Sequence, residues 1–239
     1  MSTVSVIIPA KDEERCILTA LESLKKQTCK NSEIIVKDGG STDRTVEIAR
    51  RYTDNVISCK DVSVGQARNQ GAEKASGNIL VFMDADSELP SDTLEKLEKR
   101  FERDNPSLLI PRYVPKKEIL ENNGKLIQFP RPLNMHWSKI ENFLTAKLMR
   151  YAAGMCMACD KASFEKVGGF DEKLRVCEDQ DISYRLRKVG RVIYDGGIVA
   201  YFSLRRYAKL GLFRTICNYS INSMNFLLGL EQSKHPMIR

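Results

Sequence analysis

Histidine is scarce in this sequence, and several familiar enzyme motifs are missing. Only His136 and His235 occur among 239 residues, and no Gly-x-Ser-x-Gly segment is found. We therefore do not expect a Ser–His–Asp hydrolase. The sequence also lacks Gly-x-Gly-x-x-Gly after its first apolar run, and it lacks any Gly-Lys-Ser/Thr segment. These absences argue against dinucleotide-binding and P-loop proteins.

Long apolar runs are absent as well. No stretch reaches the roughly 18 apolar residues of a membrane-spanning helix, and residues 4–10 form too short a run for a signal peptide. Seven irregularly spaced cysteines favour free thiols in a reducing compartment. Cys156-x-x-Cys159 has no second pair, so we interpret it as structural. We expect a cytoplasmic protein.

The net charge of +7 is concentrated near the end of the sequence. Residues 205–239 contain six basic residues and one acidic residue, so they hold +5 of the total. Such charge indicates an anionic partner, which could be a lipid surface, a phosphate-bearing substrate or nucleic acid. Nucleic acid is disfavoured, because the charge is confined to this tail and no base-stacking aromatic residues are interleaved with it.

The first hundred residues alternate between strand and helix patterns. This alternation predicts an α/β fold with a mostly parallel central sheet and helices on both faces. The predicted strands are residues 3–9, 33–36, 55–59 and 79–83. Helices are predicted at residues 13–27, 45–52 and 64–75, and a further charged helix should bury Leu94, Leu97 and Phe101.

The pattern changes after Asn105. Four of the eight prolines lie within residues 111–132, which predicts a long loop over the site. We expect helices at 135–150 and 179–189, a strand at 155–159, and a final strand pair at 192–194 and 198–202. We therefore divide the chain into a domain of residues 1–204 and a helical tail of residues 205–239. The domain itself divides where the pattern changes, into halves of about 1–105 and 106–204.

Carboxylates stand where the buried run of residues 79–83 ends. Asp84 and Asp86 are two positions apart, so on extended chain both side chains point the same way. Ligands of open α/β sheets bind at the carboxyl ends of strands, and carboxylates there suit Mg²⁺ or Mn²⁺. The alternative is a loop carboxylate followed by a helix cap. Glu178 and Asp179 begin a predicted helix, where they either complement its dipole or include a general base.

Six short motifs follow one another along the sequence. They are Pro9-Ala10-Lys11-Asp12-Glu13, Asp38-Gly39-Gly40-Ser41-Thr42-Asp43, Gly65-Gln66-Ala67-Arg68-Asn69-Gln70-Gly71, Asp84-Ala85-Asp86, Gly168-Gly169-Phe170-Asp171 and Glu178-Asp179. The same motifs occur in this order in family 2 glycosyltransferases, and over residues 3–203 the sequence resembles that family. The resemblance implies a GT-A fold, with a donor-binding half of about residues 1–105 and an acceptor half of about 106–204. It also implies a UDP- or GDP-sugar donor, Mg²⁺ or Mn²⁺, and inversion at the anomeric carbon.

Site residues follow from the resemblance by position. Asp179 would be the catalytic base, and Asp86 with Asp84 would bind the metal. Further contacts to the acceptor or the diphosphate would come from Glu178, Arg205 and Arg206. The nucleotide-sugar would contact Ala10, Asp12, Asp38, Arg68, Asp84 and Asp86.

The sequence departs from the family pattern in two places. Gly39 replaces the second Asp of the base-binding loop, which weakens any inference about the nucleotide. The histidine that often follows the last strand is missing, and Arg205 and Arg206 stand there instead. Either Asp86, phosphate and water complete the metal shell, or these arginines supply charge to the diphosphate and weaken the metal dependence. A sugar nucleotidyltransferase or a nucleotide-sugar-binding protein of the same fold is the alternative.

The basic tail leaves two interpretations open. An apolar face of the tail helix would either pack on the domain or lie on an anionic bilayer. The second case implies a lipid-linked acceptor received by the proline-rich segment, with peripheral association at the inner face of the membrane. The residues predicted for this face are Leu212, Ile216, Tyr219, Phe226 and Leu227.

Overall fold

The computed structural model describes residues 3–60, 63–116, 120–122, 125–127 and 151–230. The predicted helix at 135–150 lies outside these residues. The strands, in chain order, are β1 (Val4–Ala10), β2 (Ser32–Asp38), β3 (Val56–Ser58), β4 (Ile79–Met83), β5 (Leu108–Pro115), β6 (Leu120–Asn122), β7 (Lys125–Ile127), β8 (Cys156–Asp160) and β9 (Val192–Phe202). The helices are α1 (Ile17–Lys25), α2 (Thr45–Arg50), α3 (Val64–Lys74), α4 (Thr93–Asp104), α5 (Lys161–Lys166), α6 (Glu178–Val189), α7 (Arg205–Leu210) and α8 (Leu212–Leu227).

Seven strands form one sheet in the order β3-β2-β1-β4-β8-β5-β9. Strands β1 to β4 pair in parallel, and so do β5 and β9, whereas β8 runs antiparallel to β4 and β5. The predicted mostly parallel sheet is confirmed. The predicted donor and acceptor halves share this sheet, because β8 joins β4 to β5.

Strand β4 lies at the centre, and all five of its residues are buried. Helix α3 packs on β1 and β2. A Cβ on Gly71 would lie 2.4 Å from Ile7 Cγ2, so glycine allows α3 to approach β1 closely. Cys156 and Cys159 are also buried, in agreement with the structural interpretation of these cysteines.

The loop predicted for residues 111–132 was wrong for the part that the structure describes. Residues up to Pro115 extend β5 along β9, and β6 pairs with β7 as a hairpin. Strand β8 pairs only with Leu108 and Leu109 of β5. Pro111 and Pro115 therefore lie beyond that pairing, where a missing N–H is tolerated.

The predicted final strand pair was also wrong, because residues 192–202 form the single strand β9. Its pairing with β5 shifts register: Pro111 lies opposite Asp195, and Arg112 lies opposite Val199. Strand β9 therefore contains three residues, 196–198, that have no counterpart in β5. Gly196 and Gly197 suit such an irregularity.

Candidate functional site

The sheet brings the predicted carboxylates to one edge. Asp84 and Asp86 follow β4 directly, and Asp38 ends β2 two strands away. Asp84 Oδ1 lies 3.0 Å from Arg68 Nη2, and Asp86 Oδ2 lies 2.8 Å from Arg205 Nε. The second oxygen of each Asp has no protein partner among the described residues. Two carboxylate oxygens therefore remain for a ligand.

Arg68 is a buried junction between the two halves of the site. Its side chain is 1% exposed, and Nη1 donates to Glu178 Oε1 at 3.0 Å. Nη2 donates to Asp84 Oδ1 and to the Gly154 carbonyl, each at 3.0 Å, and the guanidinium lies 5.3 Å from the Phe170 ring centroid. In this conformation Arg68 has no surface to offer a nucleotide, and it connects the end of β4 to the start of α6.

Asp179 is held by backbone donors at the start of α6. Its Oδ2 accepts from the Gly154 N–H at 2.8 Å, and its Oδ1 accepts from the Gln180 N–H at 2.8 Å. Burial raises the pKa of Asp179 to about 7, and repulsion from Glu178 adds to this rise while Arg68 opposes it. A carboxylate that titrates near neutral pH suits a general base.

Gly154 and Tyr113 are site residues that the sequence analysis missed. The Tyr113 hydroxyl donates to the Cys156 carbonyl and accepts from the Ala153 N–H, both at 2.9 Å. This holds the segment that carries Gly154 against Asp179 and Arg68. A Cβ on Gly154 would lie 2.8 Å from Arg68 Nη2. The only sequence signal was a glycine just before an apolar strand.

Burial also raises the pKa of Asp84, with Arg68 opposing the rise. The Asp84 side chain is still 37% exposed, so water moderates this effect. Asp86 is more enclosed, with 17% of its side chain exposed.

The loops after β1 and β2 are joined to each other. Asp12 Oδ1 accepts from the Thr42 N–H at 2.8 Å, and the Asp12 N–H donates to Ser41 Oγ at 2.8 Å. Asp12 takes φ +53, which short polar side chains tolerate. The Ala10 carbonyl accepts from the Gly39 N–H at 2.8 Å. These contacts fix the shape of the first two strand ends.

Asp38 is turned into its own loop. The side chain is 2% exposed; Oδ1 accepts from Ser41 Oγ and Oδ2 accepts from the Gly40 N–H at 3.2 Å. In this conformation the Asp38 carboxylate holds the glycine-containing loop, and little of it is accessible to a nucleotide base.

The motif at residues 168–171 supports α3 and α6. Asn69 and Phe170 exchange two hydrogen bonds, at 2.9 and 2.8 Å. Arg185 of α6 pairs with Asp181 and donates to the carbonyls of Val167 and Gly169. Gly169 has φ +69, and a Cβ there would lie 2.7 Å from Asn69 Oδ1. This motif therefore has a structural role beside the Arg68 junction.

Arg205 joins the tail to the site. Nη1 and Nη2 donate to the two oxygens of Glu13, each at 2.6 Å, while Nε reaches Asp86. Arg206 points elsewhere, donating to the Tyr219 hydroxyl at 2.6 Å. Of the two arginines, Arg205 contacts a predicted metal ligand directly, whereas the charge of Arg206 acts on Asp84 and Asp86 without a hydrogen bond to either.

The tail is two helices separated at Gly211, which has φ +85. Leu212, Ile216 and Leu227 of the predicted apolar face have side chains outside the described residues. Tyr219 of that face is 37% exposed. The largely exposed apolar side chains of α8 include Ile221 and Met224, 54% and 61% exposed respectively, and Leu228 follows at 64%. None of the helices that the structure describes has the length and apolarity needed to cross a bilayer.

Two observations test whether the site suits a metal ion. Asp84 and Asp86 present hard oxygen donors of the kind that Mg²⁺ and Mn²⁺ prefer, and one oxygen of each is bound by none of the described residues. Within the described part of the chain, no three His, Cys, Asp or Glu side chains form a metal-binding group. The residues therefore fit an ion that takes two protein oxygens and completes its shell from phosphate and water.

A mostly parallel α/β sheet with carboxylates at the end of its central strand is the arrangement found in GT-A glycosyltransferases. The chain belongs to glycosyl transferase family 2, whose model matches residues 5–168. The predicted family, fold class and enzyme class are confirmed.

Relatives of known sequence agree with this assignment. A PGL/p-HBAD biosynthesis glycosyltransferase of Mycobacterium tuberculosis is 28% identical over 188 residues, which cover 76% of this chain and 68% of the relative. An uncharacterised glycosyltransferase of Haemophilus influenzae is 30% identical over 187 residues, covering 77% of this chain and 61% of the relative.

Solved structures share the fold. S. aureus TarS 1-349 in complex with UDP-GlcNAc matches with a TM-score of 0.66 and 21% identity, over 84% of this chain and 58% of that one. The mannosyltransferase PcManGT of Pyrobaculum calidifontis, in complex with GDP-Man and Mn²⁺, matches with a TM-score of 0.73 and 19% identity. That match covers 98% of this chain and 66% of the other. The chain spans only part of each of these proteins.

Proposed function

We propose that this glycosyltransferase moves a sugar from a UDP- or GDP-sugar to an acceptor hydroxyl or a lipid phosphate, with inversion at the anomeric carbon. The observation that carries the proposal is the Arg68 junction, which binds Asp84 and Glu178 at 3.0 Å each. It joins the carboxylates after β4 to the helix that begins with Asp179. Donor-binding and proton-accepting groups thus share one cleft, as a single displacement requires.

The described residues take distinct roles on the donor side. Ala10 and Asp12 shape the loops that border the nucleotide. Asp38 and Arg68 are buried, so they position these loops and the cleft carboxylates. Asp84 and Asp86 keep exposed oxygens and face the diphosphate.

Asp84 and Asp86 would hold Mg²⁺ or Mn²⁺. Such an ion, when bound, neutralises the negative charge that grows on a diphosphate leaving group. The Mn²⁺ and GDP-Man in the PcManGT structure support this choice of cofactor and donor class. Arg205 and Arg206 add positive charge beside the same carboxylates.

Asp179 would act on the acceptor side. The acceptor oxygen forms a bond to the anomeric carbon as the bond from that carbon to the diphosphate oxygen breaks. The acceptor hydroxyl proton passes to the Asp179 carboxylate, and the nucleoside diphosphate leaves from the opposite face. One base is enough for this inverting displacement. The two backbone N–H groups on Asp179 fix the direction of its oxygens.

The tail supports a lipid-linked acceptor. Ile221, Met224 and Leu228 are spaced to share one face of α8, and all are exposed. Thr215 and Asn222, spaced seven apart, are 2% and 1% exposed. A helix that buries polar groups and exposes apolar ones indicates a covering partner. No acidic residue occurs between Arg205 and Leu230, so the partner that we propose is an anionic bilayer surface at the inner face of the membrane.

Thermal shift assays with UDP- and GDP-sugars, with and without Mn²⁺, test the donor and the metal. A ligand that binds only the folded state raises its stability. We expect one nucleotide class to raise the melting temperature, and Mn²⁺ to enlarge the increase. Asp86→Ala should remove the Mn²⁺-dependent part, whereas Asp104→Ala, away from the cleft on α4, should retain it. The absence of any shift with every nucleotide-sugar would overturn the proposal.

A further inference from the structure

Each of the three guanidinium nitrogens of Arg205 already contacts a carboxylate. Two nitrogens bind Glu13 at 2.6 Å each, and Nε lies 2.8 Å from Asp86 Oδ2. The three side chains are between 14% and 22% exposed. Charges enclosed to this degree are screened less by water and salt than surface ion pairs.

This contact places a fixed positive charge on a carboxylate proposed to bind metal. A cation bound to the second oxygen of Asp86 would be separated from Arg205 only by the Asp86 carboxylate group. Like charges at that range repel, so Arg205 opposes a metal ion that arrives alone. A diphosphate reverses the balance, because its negative charge is attracted by both Arg205 and the metal.

We propose that Arg205 makes metal binding conditional on the donor diphosphate. It lowers the affinity of Asp86 for a free divalent cation and favours the ion that arrives together with phosphate. Glu13 is the anchor that holds Arg205 in this position. The inference rests on the proposed metal site, and it adds a coupling between two ligands of that site.

An ordinary structural ion pair would produce the same contacts, since Arg205 also fastens α7 to the start of α1. The two explanations differ in what they predict. A structural ion pair affects the stability of the fold. A coupling residue changes the affinity for metal in the absence of nucleotide, and it changes how much nucleotide increases that affinity.

Electron paramagnetic resonance of free Mn²⁺ measures both quantities without any turnover. Mn²⁺ is titrated into the protein alone and then with saturating UDP or GDP. For Arg205→Gln we expect Mn²⁺ alone to bind about tenfold tighter, within the ~5- to 150-fold range of ordinary couplings. The increase in Mn²⁺ affinity that UDP or GDP produces should become smaller by a similar factor. Circular dichroism confirms that each variant is folded.

Lys116→Gln is the matched control. Lys116 pairs with Glu88 at 2.7 Å and has 11% of its side chain exposed, so this variant removes one enclosed charge near Asp86 without touching it. We expect a change below about threefold, because direct contact with Asp86 is absent. An equal change in both variants would overturn the inference, since general electrostatics would then explain it.

Glu13→Gln provides a test of opposite sign, because it removes the charge that competes with Asp86 for Arg205 and retains one side-chain oxygen that accepts from Arg205. Arg205 then neutralises Asp86 alone, so Mn²⁺ without nucleotide should bind more weakly than to the original chain. Tighter binding would contradict the proposal. If Mn²⁺ binds equally with and without nucleotide in every variant, the coupling fails and the proposed function stands. If Mn²⁺ binds under neither condition, the proposed metal site fails as well.

Discussion

The backbone N–H of Gly154 donates to Asp179 Oδ2 over 2.8 Å, while the carbonyl of the same residue accepts from Arg68. One glycine thus contacts both the proposed base and the junction beside it. A Cβ at this position would lie 2.8 Å from Arg68 Nη2. The closeness of Asp179 to the donor carboxylates therefore depends on a residue without a side chain.

Gly154→Ala should disturb this arrangement. Arg68 is fully enclosed and bound at three points, so it has little room to yield, and we expect a loss of about 1–3 kcal/mol in unfolding free energy. The rate of sugar transfer should also decrease in this variant. Urea denaturation and donor turnover measure the two effects. Gly196→Ala is the control, because a Cβ there would lie 3.6 Å from its nearest neighbour; a similar loss in that variant would remove the special role of Gly154.

Arg68→Gln should be the more damaging substitution. It leaves Asp84 and Glu178 without their buried partner, and breaking a buried ion pair costs about 3–5 kcal/mol. Denaturation at neutral pH measures the change in unfolding free energy. Arg44→Gln removes an arginine whose side chain is 64% exposed and should change stability by less than about 0.5 kcal/mol. If Arg68→Gln were equally mild and abolished only nucleotide binding, the positioning role would be wrong.

Asp179→Asn tests the base and the acceptor together. With an acceptor hydroxyl we expect turnover to fall by roughly 100- to 10,000-fold while donor binding remains. Activity of the original chain should rise as pH passes about 7, because the carboxylate must be ionised to take a proton. A lipid phosphate is already anionic at that pH and needs no base, so a small loss would identify that acceptor class. Lost donor affinity with intact turnover would place Asp179 in the binding site instead.

Stability should change in the opposite direction to activity. The pKa of Asp179 is raised from 3.8 to about 7, so between these values the folded state holds a proton that the unfolded state releases. Stability therefore decreases as pH rises through this window. Asp179→Asn should gain about 1–3 kcal/mol at pH 8, less than ~1.4 kcal/mol per pKa unit because the side chain is partly exposed.

The gain for Asp179→Asn should nearly vanish at pH 4, because the folded state of the original chain is then protonated and the unfolded state is close to the midpoint of its own titration, 3.8. Thermal melts at the two pH values measure the difference. Asp54→Asn, at an exposed position, is the control for the substitution itself. Equal effects of Asp179→Asn at pH 4 and pH 8 would contradict the raised pKa.

Much of the fold could be predicted from the sequence, since apolar runs such as β4 end at charged residues and α4 carries Leu94, Leu97 and Phe101 at helical spacing. The position of β8 could not, because strand order depends on long-range pairing that periodicity does not encode. The Asn123–Gly124 pair between β6 and β7 is a known hairpin signal, but the prolines around it favoured a loop.

The position of Asp38, Asp84 and Asp86 at one edge of the sheet could be predicted from the sequence, but the contacts of the candidate site residues could not. Arg68 and Asp38 were expected to touch the nucleotide, and both are buried in this conformation. Arg68 is buried by partners more than 80 residues away in the sequence, such as Gly154. Sequence spacing gives no information about such partners. The tail face was predicted from apolar residues alone, whereas the structure buries the polar Thr215 and Asn222.

The tail provides the last prediction. Exposed Ile221, Met224 and Leu228 lie on one face of α8, and Arg214 is exposed near its start. Each basic residue close to an anionic surface contributes about 1 kcal/mol, and this contribution weakens with salt. We expect the chain to sediment with anionic vesicles at low salt, and less so at high salt or with neutral vesicles. Replacing Ile221, Met224 and Leu228 together by Gln should abolish this binding.

Leu18→Gln is the matched control, because Leu18 is an apolar residue on α1 that is 40% exposed; it should leave vesicle binding unchanged. Equal binding to neutral and anionic vesicles would remove the role of the basic residues. Binding to neither kind would favour a soluble acceptor. A second copy of the chain is the other occupant to consider, and analytical ultracentrifugation distinguishes it: if the triple Gln variant converts a dimer to a monomer, then α8 packs against itself and the bilayer is not its partner.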